Sequence, residues 1–127
     1  MPLGSGIDPN WLSSDPEMIE DTVQDELFLR KATPRRFFSS LQHQQEVMRR
    51  AAEITVPMLV FSGDQDRLAE VSAMRSFHDQ ATSEDKRYQC YPSKRHELLR
   101  ETDREQVFQD IHHWLLQRLN PTSKHSD

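Results

Sequence analysis

The stretch Ile54-Thr-Val-Pro-Met-Leu-Val-Phe-Ser62 constrains the fold of this chain more than any other. An apolar, β-branched run of this length reads as a strand buried on both faces, which requires helices covering each side of its sheet. Gly63 ends the run where the backbone must turn, and two carboxylates, Asp64 and Asp66, follow at once. Ligands and catalytic groups of open α/β sheets gather just past the carboxyl ends of parallel strands, so Asp66 is a candidate site residue. Gly and Asp are also ordinary turn formers. The choice between the two readings depends on what else reaches the same end of the sheet.

Around this strand the chain reads as helices and one more strand. Residues Met1 to Ser13, with Pro2, Gly4, Ser5, Gly6 and Pro9, predict an irregular lead-in. Ser14-Asp15-Pro16-Glu17 starts a short helix to about Gln24, either with Ser14 as cap and Glu17 closing a capping box, or with Asp15 as cap and Pro16 in the first turn. Thr33-Pro34 repeats the signature, and Phe37, Leu41, Met48 and Ala52, with Phe38 beside them, predict a helix over about 34–52. Its apolar stripe is expected to pack in the core, with Arg35, Gln42, Gln45, Glu46 and Arg49 opposite. Val71, Met74, Phe77 and Ala81 give a third amphipathic helix, broken by residues 82–85. Tyr88, Cys90 and Tyr91 make Lys86 to Tyr91 a strand that Pro92 ends. Strand, helix, strand implies a right-handed crossover and two parallel strands. Residues 93–96 form a polar loop. Thr102-Asp103-Arg104-Glu105 then opens a last helix, as a capping box, with Val107, Ile111, Trp114, Leu115 and Leu119 on one face. Asn120-Pro121 stops it, and 121–127 reads as a frayed tail.

Two parallel strands are too few to stand alone, since strands buried on both faces need neighbours. The chain therefore reads as the end of a larger α/β domain.

The remaining composition narrows the functional classes. Lys+Arg 16 against Asp+Glu 21 gives a net charge of -5, and the basic residues lie in scattered pairs such as Arg35-Arg36 and Arg49-Arg50. Nucleic acid, which needs a concentrated basic face, is not the expected partner. Cys90 is the only cysteine, so no internal disulfide forms. The longest apolar stretch, near Met58 to Phe61, is too short to cross a bilayer, and no signal core is found. A cytoplasmic protein is expected. His43, His78, His112, His113 and His125 lack metal-ligand spacing with Cys or acid partners, so a zinc site is not expected, and nothing in the sequence implies another cofactor. Cys90 and Trp114 read as packing residues.

The two loops that follow the strands carry Asp66 and His96. Adjacent strands would place them side by side, within reach of an acid-to-imidazole hydrogen bond. Such a pair is the orienting half of a nucleophile-base-acid triad, with Asp64 as a competing acid.

Several segments together resemble the C-terminal half of monoacylglycerol lipases and lysophospholipases of the α/β-hydrolase fold. They are Ile54 to Leu68 with its Gly-x-x-Asp-Arg turn, Ser83-Glu-Asp-Lys86, Tyr91-Pro-Ser-Lys-Arg-His96-Glu97-Leu, Glu101, and Asp110-Ile-His-His-Trp114. Ser14-Asp-Pro-Glu and Lys31-Ala-Thr33 are similar to the end of that family's helical lid, or cap. The resemblance spans about Ile7 to Leu119. It implies an α/β fold of parallel strands with flanking helices, the C-terminal part of an α/β-hydrolase core over 53–120, preceded by the lid segment over 1–52. Asp66 would be the triad acid, since the family places it three residues past the Gly, and His96 the general base that serves a serine. A lipid or small ester would be the substrate of the complete enzyme. The Ser93-Lys94-Arg95 turn is bulkier and more charged than the family's usual approach to the His.

The family's Gly-x-Ser-x-Gly nucleophile elbow and its oxyanion loop are absent, because Gly4-Ser5-Gly6 has the wrong pattern and Ser62-Gly63 lies at the acid strand. Two expectations follow. The chain is a C-terminal fragment of a serine ester hydrolase, inactive alone. The alternative is a non-catalytic binding or regulatory module. In either case the missing N-terminal half, or another copy of the chain, would complete the sheet.

Overall fold

The structure, a computed structural model, describes residues 3, 4 and 6–119; the expected stop at Asn120-Pro121 and the tail lie outside the described residues. The chain begins with a two-residue strand, β1 (Leu3–Gly4), and a 3-10 turn at Pro9–Trp11. Helix α1 (Pro16–Gln24) is capped by Asp15, whose carboxylate accepts from the Glu17 amide, with Pro16 in the first turn. The second of the two caps open from the sequence is therefore the one used. Strand β2 (Lys31–Ala32) pairs antiparallel with β1. This small ribbon falls in segments that carry no strand signal.

Helix α2 (Pro34–Arg49) starts on the Thr33 hydroxyl, which accepts from the Arg36 amide. It ends earlier than its pattern suggests, and a 3-10 turn at Ala51–Glu53 takes over. Its apolar stripe is not core. Phe37 and Phe38 are 59% and 63% exposed, Leu41 and Val47 are also exposed, and the helix contains no buried residue. The periodicity reports an amphipathic face correctly, but nothing among the described residues covers it.

Strand β3 (Met58–Gly63) begins later than the apolar run. Pro57 has no amide hydrogen to donate, and the preceding Val56 is 64% exposed, so the ladder starts only where the Met58 amide reaches the Asp85 carbonyl at 2.9 Å. Helix α3 (Val71–Gln80) returns across the sheet to β4 (Lys86–Tyr91), and β3 and β4 pair in parallel from Met58 opposite Lys86 to Gly63 opposite Tyr91. The expected crossover and parallel pair are both present. Among the described residues neither strand has a second partner, so each presents an unpaired outer edge.

Polar contacts fix the end of this crossover. The Lys86 ammonium donates to the His78, Asp79 and Ala81 carbonyls at 2.8, 3.0 and 2.7 Å, satisfying the open carbonyls at the end of α3 and complementing its dipole. After a 3-10 turn at Leu98–Arg100, helix α4 (Arg104–Leu119) packs back on the sheet. The Thr102 hydroxyl is directed to the Asp103 carboxylate and does not close the expected capping box. Near the end of α4, Arg118 bonds Asp85 through two nitrogens and stacks 3.7 Å above the Trp114 ring.

The core is small. Tyr91, Leu98 and Val107 form its buried centre, with Phe61 and Ile111 packed against it. The Tyr91 hydroxyl donates to Asp110 at 2.6 Å. Burial first, and then this bond to a carboxylate, push the Tyr91 pKa well above its ordinary value of 10.0. Because the raised pKa belongs to the folded chain, its stabilising effect is complete below the ordinary tyrosine value and is lost as pH rises beyond it. In a tyrosinate absorbance titration at about pH 11, the native chain should lack the Tyr91 share that the denatured chain develops. Tyr91→Phe should abolish that difference; a wild type that develops full absorbance in the native state would refute the assignment.

Candidate active site

The parallel pair delivers two loops to one end of the sheet. Residues 64–70 leave β3, and 92–97 leave β4. Asp66 lies in the first loop with its side chain only 3% exposed. One carboxylate oxygen, Oδ1, accepts from the amides of Leu68 at 2.8 Å and Ala69 at 2.9 Å, a local turn that locks the carboxylate plane. The other, Oδ2, lies 2.9 Å from Nδ1 of His96 in the second loop. A carboxylate only accepts, so Nδ1 donates, and the tautomer so fixed leaves Nε2 with a lone pair. The His96 side chain is 40% exposed. Such a pair can take a proton from a nucleophile at Nε2 and return it to a leaving group, with Asp66 stabilising the imidazolium formed between.

Asp64 has a different role. Its Oδ1 accepts from the Ser93 amide at 2.7 Å, and its own amide donates to the Tyr91 carbonyl at 3.0 Å. Ser93 sits at φ 58, a left-handed conformation that costs a non-glycine residue energy, and the Asp64 bond holds it there. The sharp turn after Tyr91 therefore uses a strained serine where a glycine would be expected.

The two loops touch along their backbones. The Gln65 amide donates to the Lys94 carbonyl at 2.9 Å. Gly63 makes this approach possible: a β-carbon there would lie 2.5 Å from the Arg95 carbonyl oxygen and closer still to that of Lys94. Its φ is not in the left-handed region, so space and not torsional freedom requires the glycine. The Lys94 ammonium pairs with Asp103 at 2.7 Å, and this contact, first among its neighbours, holds the Asp103 carboxyl below the usual carboxylate range.

A third element reaches the site: the lead-in read from sequence as irregular. The His96 amide donates to the Trp11 carbonyl at 3.4 Å and the Glu97 amide to that of Leu12 at 2.7 Å, while the Arg95 guanidinium bonds the Asn10 and Ser13 carbonyls at 2.6 and 2.7 Å. Arg100 reaches back to α1 through Thr22 at 3.1 Å, Asp21 at 2.8 Å and the Met18 carbonyl at 3.3 Å. The only sequence signal for these contacts is the placement of Arg95, Glu97, Arg100 and Glu101 around His96, a density of charge unusual for a plain turn. No group of three or more His, Cys, Asp or Glu among the described residues is placed to hold a metal ion.

Known proteins share parts of this sequence and fold. Residues 1–103 match the family model described as serine aminopeptidase, S33. The chain is 32% identical over 114 residues to a monoacylglycerol lipase of Mycolicibacterium smegmatis, a match covering 89% of this chain and 41% of that protein. An uncharacterized abhydrolase domain-containing protein of Dictyostelium discoideum is 23% identical over 98% of this chain and 13% of its own length. Among solved structures, a Paleococcus ferrophilus monoacylglycerol lipase superposes with a TM-score of 0.84 at 22% identity, over 91% of this chain and 45% of that one. A soluble variant of Saccharomyces cerevisiae monoglyceride lipase, in complex with a substrate analog, gives 0.80 at 21%, over 91% and 43%. The chain thus spans less than half the length of each of these relatives. Its parallel strands with flanking helices are part of that α/β fold.

Proposed function

The chain belongs to the serine aminopeptidase S33 family of α/β-hydrolases, and on that premise we propose that it is the C-terminal part of a serine ester hydrolase, with Asp66 as triad acid and His96 as general base. The observation that carries this reading is the 2.9 Å contact between Asp66 Oδ2 and His96 Nδ1. It joins two loops at the same end of a parallel pair, which is where hydrolases of this fold present acid and base. Residues 1–52 are the end of the lid and 53–120 the end of the catalytic core. The substrate class is an ester resembling monoacylglycerol or lysophospholipid, supported by the lipase relatives.

No Gly-x-Ser-x-Gly elbow occurs in the sequence, so His96 has no partner serine to activate within it. The chain by itself is therefore inactive, and the unpaired edges of β3 and β4 are where further strands would add. The same edges are compatible with a second reading, a non-catalytic module that completes its sheet against a partner chain. A Gly-x-Ser-x-Gly segment encoded upstream in the same frame would favour the hydrolase, and its absence the module.

Labelling the purified chain with a fluorophosphonate probe, read by intact mass beside a short-chain ester assay, tests the proposal. Neither adduct nor turnover is expected. An adduct on any serine of this chain would overturn the account of an acid and base without their nucleophile.

A further inference from the structure

We propose that Glu101 is a positioning residue for His96, acting through the backbone amide of Arg95. The inference rests on the reading of Asp66 and His96 as acid and base. Glu101 is fully buried, at 0% exposure, although it lies in an irregular turn between a 3-10 segment and α4. Placing a carboxylate there is costly unless its oxygens are well bonded. Oε1 accepts from the Arg95 amide at 2.7 Å, while Oε2 accepts from the Ser14 amide at 3.0 Å and from the Ser14 hydroxyl. Its bonds therefore join the residue just before His96 to the residue that precedes the cap of α1.

The strengths of the neighbouring bonds indicate which contact governs the ring. The loop around His96 has no regular structure, so its conformation depends on how each amide is held. Ser93 is held by Asp64 at 2.7 Å and Glu97 by the Leu12 carbonyl at 2.7 Å. The His96 amide itself reaches Trp11 only at 3.4 Å, near the limit of a hydrogen bond. The short, charge-assisted bond from Arg95 to Glu101 is thus the closest firm anchor before the imidazole. It fixes the plane of the Lys94–Arg95 peptide, and so the path along which the backbone enters His96, whose ring reaches Asp66.

The test is an NMR measurement on the full chain with 15N-labelled histidine, reading the His96 tautomer. The wild type should show a dominant Nδ1–H form, and Asp66→Asn should abolish that dominance. If Asp66→Asn leaves the pattern unchanged, the acid and base reading fails and this inference fails with it. If Asp66→Asn acts as expected, Glu101→Gln decides the inference separately. It places an amide NH2 where one of the three donors must bond, and should lower the tautomer ratio by about tenfold, the scale of one charge-assisted hydrogen bond. The amide spectrum of β3, β4 and α3 should stay in place, which a purely structural defect would not allow. A ratio within about twofold of wild type would overturn the proposal. Should Glu101→Gln fail to fold, an amide-to-ester replacement at Arg95 by semisynthesis removes the donor that Glu101 accepts and keeps the carboxylate on Ser14, while weakening the Lys94 carbonyl as acceptor for Gln65. The same loss is then expected, and an unchanged ratio would be equally fatal.

Discussion

Replacing Gly63 with alanine is expected to pull the His96 loop away from the Asp66 turn and to destabilise the chain by about 3 kcal/mol, the upper end of the usual range for overpacking. The added methyl group would meet the carbonyl oxygens of Lys94 and Arg95, both backbone atoms. A clashing side chain rotates aside at small cost, but these carbonyls cannot. The Lys94 oxygen is already held by the Gln65 amide, and the Arg95 residue by Glu101 and by its own guanidinium contacts. Relief therefore requires the loops to separate, and with them Asp66 and His96. Chemical denaturation followed by circular dichroism should register the loss, and the His96 tautomer should shift in parallel. A midpoint equal to that of the wild type would show that the loops do not approach as closely as described.

On the proposed reading, Asp66→Asn or His96→Ala in the complete hydrolase should reduce ester turnover by about ten-thousand-fold, as loss of acid or base does in serine hydrolases. The two substitutions act differently. Asparagine keeps an oxygen for the Leu68 and Ala69 amides, so the turn survives, but it presents an NH2 to the imidazole and removes the preference for the Nδ1–H tautomer. Alanine removes the imidazole, the proposed proton carrier, altogether. Asp64→Asn is the informative control, because its oxygen can still accept from Ser93 and no bond to His96 is lost. Turnover rates for all three should place Asp64→Asn near wild type. A fall with Asp64→Asn and none with Asp66→Asn would exchange the two assignments.

The parts legible in the sequence were those set by neighbouring residues. Lys86–Tyr91 was readable to the residue, because Tyr88, Cys90 and Tyr91 favour a strand and Pro92 cannot extend it. Helix α1 was readable because Asp15 and Pro16 fix its start. The Asp66 and His96 pair was readable because each follows a strand, and parallel strands in register bring their ends together. The start of β3 was misread because hydrophobicity extends through Ile54 and Val56, whereas the hydrogen-bond ladder cannot begin before Met58. The Phe37 and Phe38 face was misread because periodicity identifies an apolar stripe without revealing what covers it. The hold of Asn10 to Ser13 on the His96 loop was invisible for another reason: the bonded residues lie as much as 85 positions apart, and no local pattern records them.

That separation also affects the order of folding. β3, α3 and β4 are consecutive and need only short loop closures to assemble, whereas the bonds between residues 10–13 and the His96 loop close most of the chain into one large ring. Contacts of such long range carry the greatest closure entropy and form after local ones. By this loop-closure argument the hold of the lead-in on the His96 loop is expected to form after the pairing of β3 with β4, so the position of the imidazole depends on the contacts that close last.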